Sequence, residues 1–450
     1  MEQPTQLPLF PLQGDQPQNN SRDTHLKDFG TFKDSLKAPV HSWFRYPAGY
    51  SYKFVDYMFS ENGLGTGRWV YDPFSGTGTT LVCAKSKGIN AVGIEAHAFV
   101  HWVASVKLYW AFDYVRLYQD INALIRHGRQ FVAETMKTAD TTGVFPELVY
   151  KCYHPQTLKQ LYLLREFITQ TPMDDHLRQL LKLALTDSLR DAAAAGTGWP
   201  YIAPNKNTGD KPPKDAVQIF EETLKKMCGH LYTVGKDAAA SEIQNILGDS
   251  RQRQAIADHQ IDLALTSPPY LNNYDYADRT RLETYFWGIT QTWKDITQQY
   301  RDKLIVAATT QIVRGQYVVA DALARTILEL DSRTYEQIQQ SVQELSKRRL
   351  TKGGKKDYDL MVALYFNHIL EVLKETYRVL VPNAKFYLVL GDSAPYGVHI
   401  PTEQIIAQLA QAIGFREREF LEFRKRGGKW KNNPQRHNIE LREGVLILTK

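Results

Sequence analysis

Trp69-Val70-Tyr71-Asp72-Pro73-Phe74-Ser75-Gly76-Thr77-Gly78-Thr79-Thr80, followed by Gly88 and Ala91-Val92-Gly93-Ile94-Glu95, is the stretch that decides the fold. Three apolar residues form a short strand that runs into a glycine turn. A helix is expected from about Leu81 to Lys87, where Gly88 stops it, and the next strand ends on Glu95. This strand–helix–strand pattern is a βαβ unit, the basis of a parallel sheet. The same texture resumes downstream. Ile243-Leu247 and Ile261-Leu265 read as strands, and the second enters Thr266-Ser267-Pro268-Pro269-Tyr270. A helix from about Tyr358 to Leu380 leads to strand Lys385-Leu390. After a helix over Thr402–Ile413, Arg416-Phe423 and Leu441-Leu448 read as a terminal antiparallel pair.

Two stretches interrupt this pattern. Residues 97 to about 235 are largely helical, as in the 3/4 spacing of Leu158, Leu161, Leu164 and Ile168. A Gly/Pro/Lys loop breaks them between Gly196 and Pro213. A polar, helical insert runs from about Gln291 to Lys356 and closes on Lys347, Arg348, Arg349, Lys352, Lys355 and Lys356. Residues 1–38 are rich in Gln, Asn, Asp and Pro, and read as a disordered tail.

Composition narrows the classes. The 450 residues suggest about three domains. The net charge of +6 permits a polyanionic partner without requiring one. No apolar run approaches the roughly 18 residues of a membrane span. The N-terminus has no basic and apolar leader, so no signal peptide is expected. Cys83, Cys152 and Cys228 stand far apart, which disfavours disulfides and Cys-based metal sites and suits a reducing cytoplasm. Aromatic residues reach 12%, which serves cores and base stacking alike.

Three ligand readings compete at the glycine turn. A phosphate-binding loop needs Lys-Ser/Thr after its last glycine, and Gly78 is followed by Thr79-Thr80. A dinucleotide fingerprint needs a third Gly or Ala, where Leu81 stands. A nucleoside ligand with a carboxylate in place of phosphates fits, since a helix N-terminus attracts anions; S-adenosylmethionine is such a ligand. Glu95, 23 residues after Asp72, sits where an acid accepts from both ribose hydroxyls. Ser267-Pro268-Pro269-Tyr270 is rigid, because proline fixes φ, and it presents acceptors rather than donors. Acceptors at Ser267 Oγ and the Pro268 carbonyl would draw an exocyclic amine toward tetrahedral geometry and free its lone pair. Tyr270 would stack on the base. Methylation at a ring carbon needs a thiolate, usually after proline, and the sequence contains no Pro-Cys pair.

On these residues the chain resembles the DNA amino-methyltransferases, S-adenosylmethionine-dependent enzymes of restriction-modification systems. Asp72-Pro73-Phe74-Ser75-Gly76-Thr77-Gly78-Thr79 matches the family's cofactor turn, Glu95 its ribose acid, and Ser267-Pro268-Pro269-Tyr270 its catalytic tetrad, in the Ser form of the N4-cytosine branch. Phe44-Arg45-Tyr46-Pro47-Ala48-Gly49-Tyr50-Ser51 is similar to the segment that lines the methionine end of the cofactor. Asp249, in Gly248-Asp249-Ser250, is similar to the acid that contacts the adenine amino group. The likeness covers about 39–110, 240–290 and 357–450, with the cofactor turn ahead of the tetrad.

The resemblance implies a Rossmann-like class I methyltransferase core of α/β architecture, with a mostly parallel sheet, a terminal antiparallel hairpin and two helical insertions. The expected division is a tail (1–38), the cofactor half of the core (39–111), a helical insertion (112–240), the catalytic half (241–290), a helical basic insertion (291–356) and the C-terminal part of the core (357–450). The implied activity is site-specific methylation of cytosine N4 in double-stranded DNA. N6-adenine methylation, an RNA amine methyltransferase and a catalytically silent DNA-binding subunit are the alternatives. A target base must be flipped out of the duplex, and phosphate contacts must offset the cost of a few kcal/mol. Candidates are Arg279 and Arg281, then Arg424, Lys425, Arg426, Lys429 and Lys431 with Trp430 available to stack; Lys206, Lys211 and Lys214 and the Lys347–Lys356 cluster complete the set. Further expected partners are a cognate restriction endonuclease and a bacterial sliding clamp, since Gln6-Leu7-Pro8-Leu9-Phe10 resembles a clamp-docking peptide. No metal is expected.

Overall fold

The computed structural model describes residues 34–46, 50–196, 211–236, 239–313, 315–351, 355–426 and 439–450. Seven strands form one sheet: β1 (Trp69–Asp72), β2 (Asn90–Glu95), β3 (Ile243–Leu247), β4 (Ile261–Thr266), β5 (Leu380–Gly391), β6 (Glu417–Arg426) and β7 (Leu441–Thr449). Their order is β3-β2-β1-β4-β5-β7-β6. The first five are parallel, and β7 pairs antiparallel with both β5 and β6. This is the Rossmann-like arrangement with its terminal antiparallel pair.

The order reverses between β1 and β4, whose register sets Val70 beside Leu263 and Tyr71 beside Ala264. In open α/β sheets ligands bind outside the carboxyl ends of the strands at such a switch point. The glycine turn and the Ser-Pro-Pro-Tyr tetrad leave the sheet side by side there.

Alternate side chains point to opposite faces of a strand, so the sheet has two cores. Val70, Leu263, Leu265, Tyr387, Val389 and Val445 belong to one apolar cluster. It includes α1 (Tyr52–Glu61), α2 (Thr79–Ser86), α3 (Ala98–Leu108), and the first insertion's α4 (Tyr114–Thr135), α5 (Pro155–Gln170), α6 (Asp175–Ala192) and α7 (Ala216–Gly235). Tyr71, Val92, Ala264, Phe386, Leu388 and Leu446 belong to the other. That face carries α8 (Ser332–Thr351), α9 (Tyr358–Val379) and α10 (Thr402–Ile413). The insertions therefore share the cores of the sheet rather than forming cores of their own.

Two expectations need correction. The tail does not run to residue 38: Ser35 is fully buried, its Oγ accepts from Tyr52 N at 3.1 Å, and Ala38 is buried as well. Residues 1–33, with Gln6–Phe10, lie outside the described residues. The second insertion is helical only in part. Between the short helix Trp293–Gln299 and the helix starting at Arg325, the described chain is irregular with short 3-10 turns. Its apolar residues Ile305, Val306 and Ala307 are nevertheless buried. None of the helices among the described residues is long and apolar enough to cross a membrane.

Gly93, in the middle of β2, backs onto the glycine turn. A Cβ there would lie 2.7 Å from Ser75 Cβ and 2.8 Å from Leu81 Cδ1. Gly93→Ala should therefore push the turn off the sheet and destabilise the protein by about 1–3 kcal/mol. An unchanged urea midpoint would contradict this packing.

Candidate active site

Asp72, at the end of β1, is buried, and both its carboxylate oxygens are fully engaged. Oδ1 accepts from Phe74 N at 3.0 Å and from Thr266 Oγ1 at 2.6 Å. Oδ2 accepts from Thr80 Oγ1 at 2.6 Å and from Tyr50 OH at 3.0 Å. Burial pushes this carboxyl up from its ordinary range, and the four donors oppose the shift. A carboxylate offers about four acceptor sites, so none is left for a ligand. Asp72 is a pin joining the glycine turn to the residue before Ser267. Asp72 also borders the cavity.

The turn gives Gly76 and Gly78 different tasks. Gly76 has φ +54° and aims its N–H at Glu95 Oε2, 3.0 Å away. Gly78 has φ +85° and caps α2, where a Cβ would meet Ala104 Cβ at 3.3 Å. Gly78 is thus a packing residue behind the turn and not part of the cavity lining.

Glu95 ends β2. Its Oε1 accepts from His97 N at 2.7 Å, and burial pushes its pKa up to about 7 against the pull of these backbone N–H groups. Asp249, beyond β3, is treated oppositely. Arg251 pairs with it at 2.7 Å, and its carboxyl stays below the usual range in spite of partial burial.

These strand ends enclose a cavity with about 840 Å³ of open space, part of it continuous with solvent. Of the sequence candidates, Tyr46, Asp72, Pro73, Phe74, Gly76, Thr79, Glu95, Asp249, Ser267 and Pro269 line it. Tyr46 is held there because Phe44 N donates to Asp187 Oδ1 at 3.1 Å and Trp43 Nε1 to His230 Nδ1 at 3.1 Å, both acceptors on the first insertion. The residues fit S-adenosylmethionine: Glu95 for ribose hydroxyls, Asp249 for an amino group, the turn and α2 for a carboxylate. Sequence reasoning missed Tyr276 and the run Lys303-Leu304-Ile305, which also line the cavity. Tyr276, six residues after Tyr270, stands within the aromatic stretch that follows the tetrad. Lys303–Ile305 carry no motif.

Ser267 leaves β4 directly after Thr266. Pro268 is buried. The Tyr270 hydroxyl hydrogen-bonds with Ser267 and reaches Glu443 Oε1 at 3.4 Å, while the Arg426 guanidinium lies 5.5 Å over its ring. The thiols are remote from this chemistry. All three cysteines are buried and unpaired, none lines the cavity, and burial pushes Cys152 up to about 12 and Cys228 to about 11.

The basic candidates fare unevenly. Arg279 is buried, pairs with Glu283 at 3.2 Å and donates to the Arg45 carbonyl; burial lowers its guanidinium pKa to about 10. It is a core ion-pair residue and no phosphate ligand. Arg281 pairs with Asp278 at 3.0 Å and lies 4.3 Å over Trp293. Arg424 and Arg426 pair with Glu443 at 3.1 and 3.4 Å, and Lys425 pairs with Glu440. Lys429, Trp430 and Lys431 lie outside the described residues, as do Lys206 and Lys352. Lys211 and Lys214 donate to the carbonyls of Ala194, Asp191 and Ala193, Arg348 pairs with Glu344, and Arg349 with Asp357. Of these, the 424–426 segment finds its acids across the sheet, at Glu440 and Glu443, while Arg281, Arg348 and Arg349 pair with acids nearby in sequence.

Because Thr266 ties the tetrad strand to Asp72, Thr266→Val should keep the strand and lose the bond. A loss of about 1–2 kcal/mol in urea unfolding is expected. Asp72→Ala, which strands four donors, should be worse by a further 1–3 kcal/mol or more. Equal stability of the two variants would contradict the pin.

No family model matches the chain. Among characterised proteins, it is 24% identical to the type II methyltransferase M.BsoBI of Geobacillus stearothermophilus, across 95% of this chain and 89% of that protein. It is 23% identical to the type II methyltransferase M.AvaI of a Nostoc species, across 87% and 82%. A shorter stretch of 69 residues, 15% of this chain, is 38% identical to 13% of the type II methyltransferase M.MjaII of Methanocaldococcus jannaschii. In its sheet order, in the cavity at its switch point and in these likenesses, the chain is similar to the type II DNA methyltransferases, for which S-adenosyl-L-methionine is the methyl donor.

Proposed function

We propose that the chain transfers a methyl group to the exocyclic N4 amine of cytosine in double-stranded DNA, within a restriction-modification system that also supplies a cognate endonuclease. One observation carries the reading: Ser267 lines the same cavity as Glu95, and Thr266 is tied to Asp72 at the cofactor turn. S-adenosylmethionine supplies an electrophilic methyl on a sulfonium. Glu95 holds the ribose hydroxyls. Ser267 Oγ and the Pro268 carbonyl accept from the two N–H groups of the target amine, so that its lone pair leaves conjugation with the ring and attacks the methyl. Tyr270 stacks on the flipped base, with Arg426 over the ring and Glu443 on its hydroxyl. No strong base is needed, since the methylated, cationic nitrogen loses its proton to solvent. The remote, buried thiols speak against the ring-carbon route. Ser is shorter than Asp or Asn, which favours cytosine over adenine N6. In the same reading Gln6–Phe10 docks on a sliding clamp.

Ionised Glu95 is the form that accepts both hydroxyls, and the pKa near 7 sets the pH window. Cofactor affinity should rise from pH 5.5 to 7.5, with a proton released on binding near pH 6. Glu95→Gln should flatten the profile and weaken binding about tenfold at pH 7.5. Calorimetry in buffers of different ionisation enthalpy reads both; a flat wild-type profile would remove the ribose assignment.

Ser267→Ala should lower kcat by about 10²-fold with little change in cofactor affinity, because the lost bond matters chiefly in the transition state. Mass spectrometry of nucleosides from treated DNA should show N4-methylcytosine. Only N6-methyladenine would move the chain to the adenine branch, and 5-methylcytosine would overturn the mechanism.

A further inference from the structure

We infer that residues 300–311 of the second insertion form a strap that walls the cofactor cavity and couples its occupancy to the loop after the catalytic tetrad. The inference rests on the cofactor reading above. Lys303, Leu304 and Ile305 line the same cavity as the glycine turn that a methyltransferase needs for its donor. The strap contains only two short 3-10 turns, so its position depends on what it is bonded to.

Its anchors are the loops that follow three successive strand ends. Beyond β2, the Tyr300 ring stacks on His97 with centroids 4.0 Å apart, and His97 N holds Glu95 Oε1. Beyond β3, Arg251, the partner of Asp249, donates to the Lys303 carbonyl at 3.4 Å. Beyond β4, Asn272 N donates to the Ala307 carbonyl at 2.8 Å, and Asp275 Oδ2 takes Arg301 at 2.6 Å and Thr310 Oγ1 at 3.0 Å. Asn272 lies two residues after Tyr270 and has φ +58°, a conformation that this bond helps to hold. A fourth anchor comes from α9: Val306 N donates to His368 Nδ1 at 3.1 Å. Burial lowers His368 to about 4, so the ring is a neutral acceptor near pH 7.

Every anchor loop thus belongs to a cofactor or target motif, or to the helix behind them. A ligand packed against Leu304 and Ile305 restrains the strap. The strap in turn restrains Asn272 and Asp275. Coupling free energies are reciprocal, so an ordered target loop must also favour cofactor retention.

Hydrogen–deuterium exchange on the full chain, with and without S-adenosylhomocysteine, tests this without a DNA substrate. Binding should slow exchange over 300–311 and 270–276 together, in addition to the 76–97 region. Arg301→Gln should retain slowed exchange over 76–97, lose it over 270–276 and weaken the ligand about tenfold. Arg301→Lys should recover part of the coupling, and Thr310→Val should give a smaller loss in the same direction should the Gln variant misfold. Slowed exchange at 76–97 with no change over 300–311 would overturn the wall. A response over 300–311 with none over 270–276 would overturn the coupling. Failure of S-adenosylhomocysteine to bind at all would instead defeat the cofactor reading on which both stand.

Discussion

One buried carboxylate organises the carboxyl edge of this sheet. Asp72 gathers donors from its own turn, from Tyr50 upstream, from Thr80 on α2 and from Thr266 at the end of β4. Four segments far apart in sequence meet on two oxygens. An unpaired charge at such depth would be strongly unfavourable, so the donors are a condition of the fold. The consequence is geometric: with Thr266 fixed against the turn, Ser267 emerges beside that turn, on the cavity that both line.

Three carboxylates border the cavity, and their surroundings set them apart. Asp72 is saturated. Glu95 receives two backbone N–H groups, yet burial keeps it near 7, so its charge changes within the neutral range. Asp249 is held below the usual range by Arg251 and remains a charged acceptor. The same carboxylate chemistry supplies a structural pin, a group that titrates near neutrality and a standing charge, because burial and partners differ at each strand end.

The parts of this site that were legible in sequence are those written locally. A strand, a glycine turn and the next strand can be read from hydrophobic runs and turn residues, and all seven strands follow from such patterns. The adjacency of β1 and β4 has no local signature, since about 190 intervening residues separate them. The strap was illegible for a related reason: its apolar run Leu304–Ala307 has neither helical nor strand periodicity, and its anchors come from four other segments. Basic residues misled most. Arg279 and Glu283 stand four apart, on two short successive helices that meet at Thr280, a spacing that does announce an ion pair. Arg424 and Glu443 meet only because β6 pairs with β7. A run without acids is therefore no proof of a free cationic surface when its partners arrive across a sheet.

The insertions follow from the same physics. The first fuses its apolar side chains to one face of the sheet; the second packs mostly on the other and places Ile296 and Tyr300 in the first cluster, so neither can move as an independent module without exposing core. Both also reach the carboxyl edge: the first through Asp187 and His230, which hold the segment ending at Tyr46, and the second through the strap. The cofactor cavity is thus bounded from both sides by chain that a minimal βαβ core would not possess.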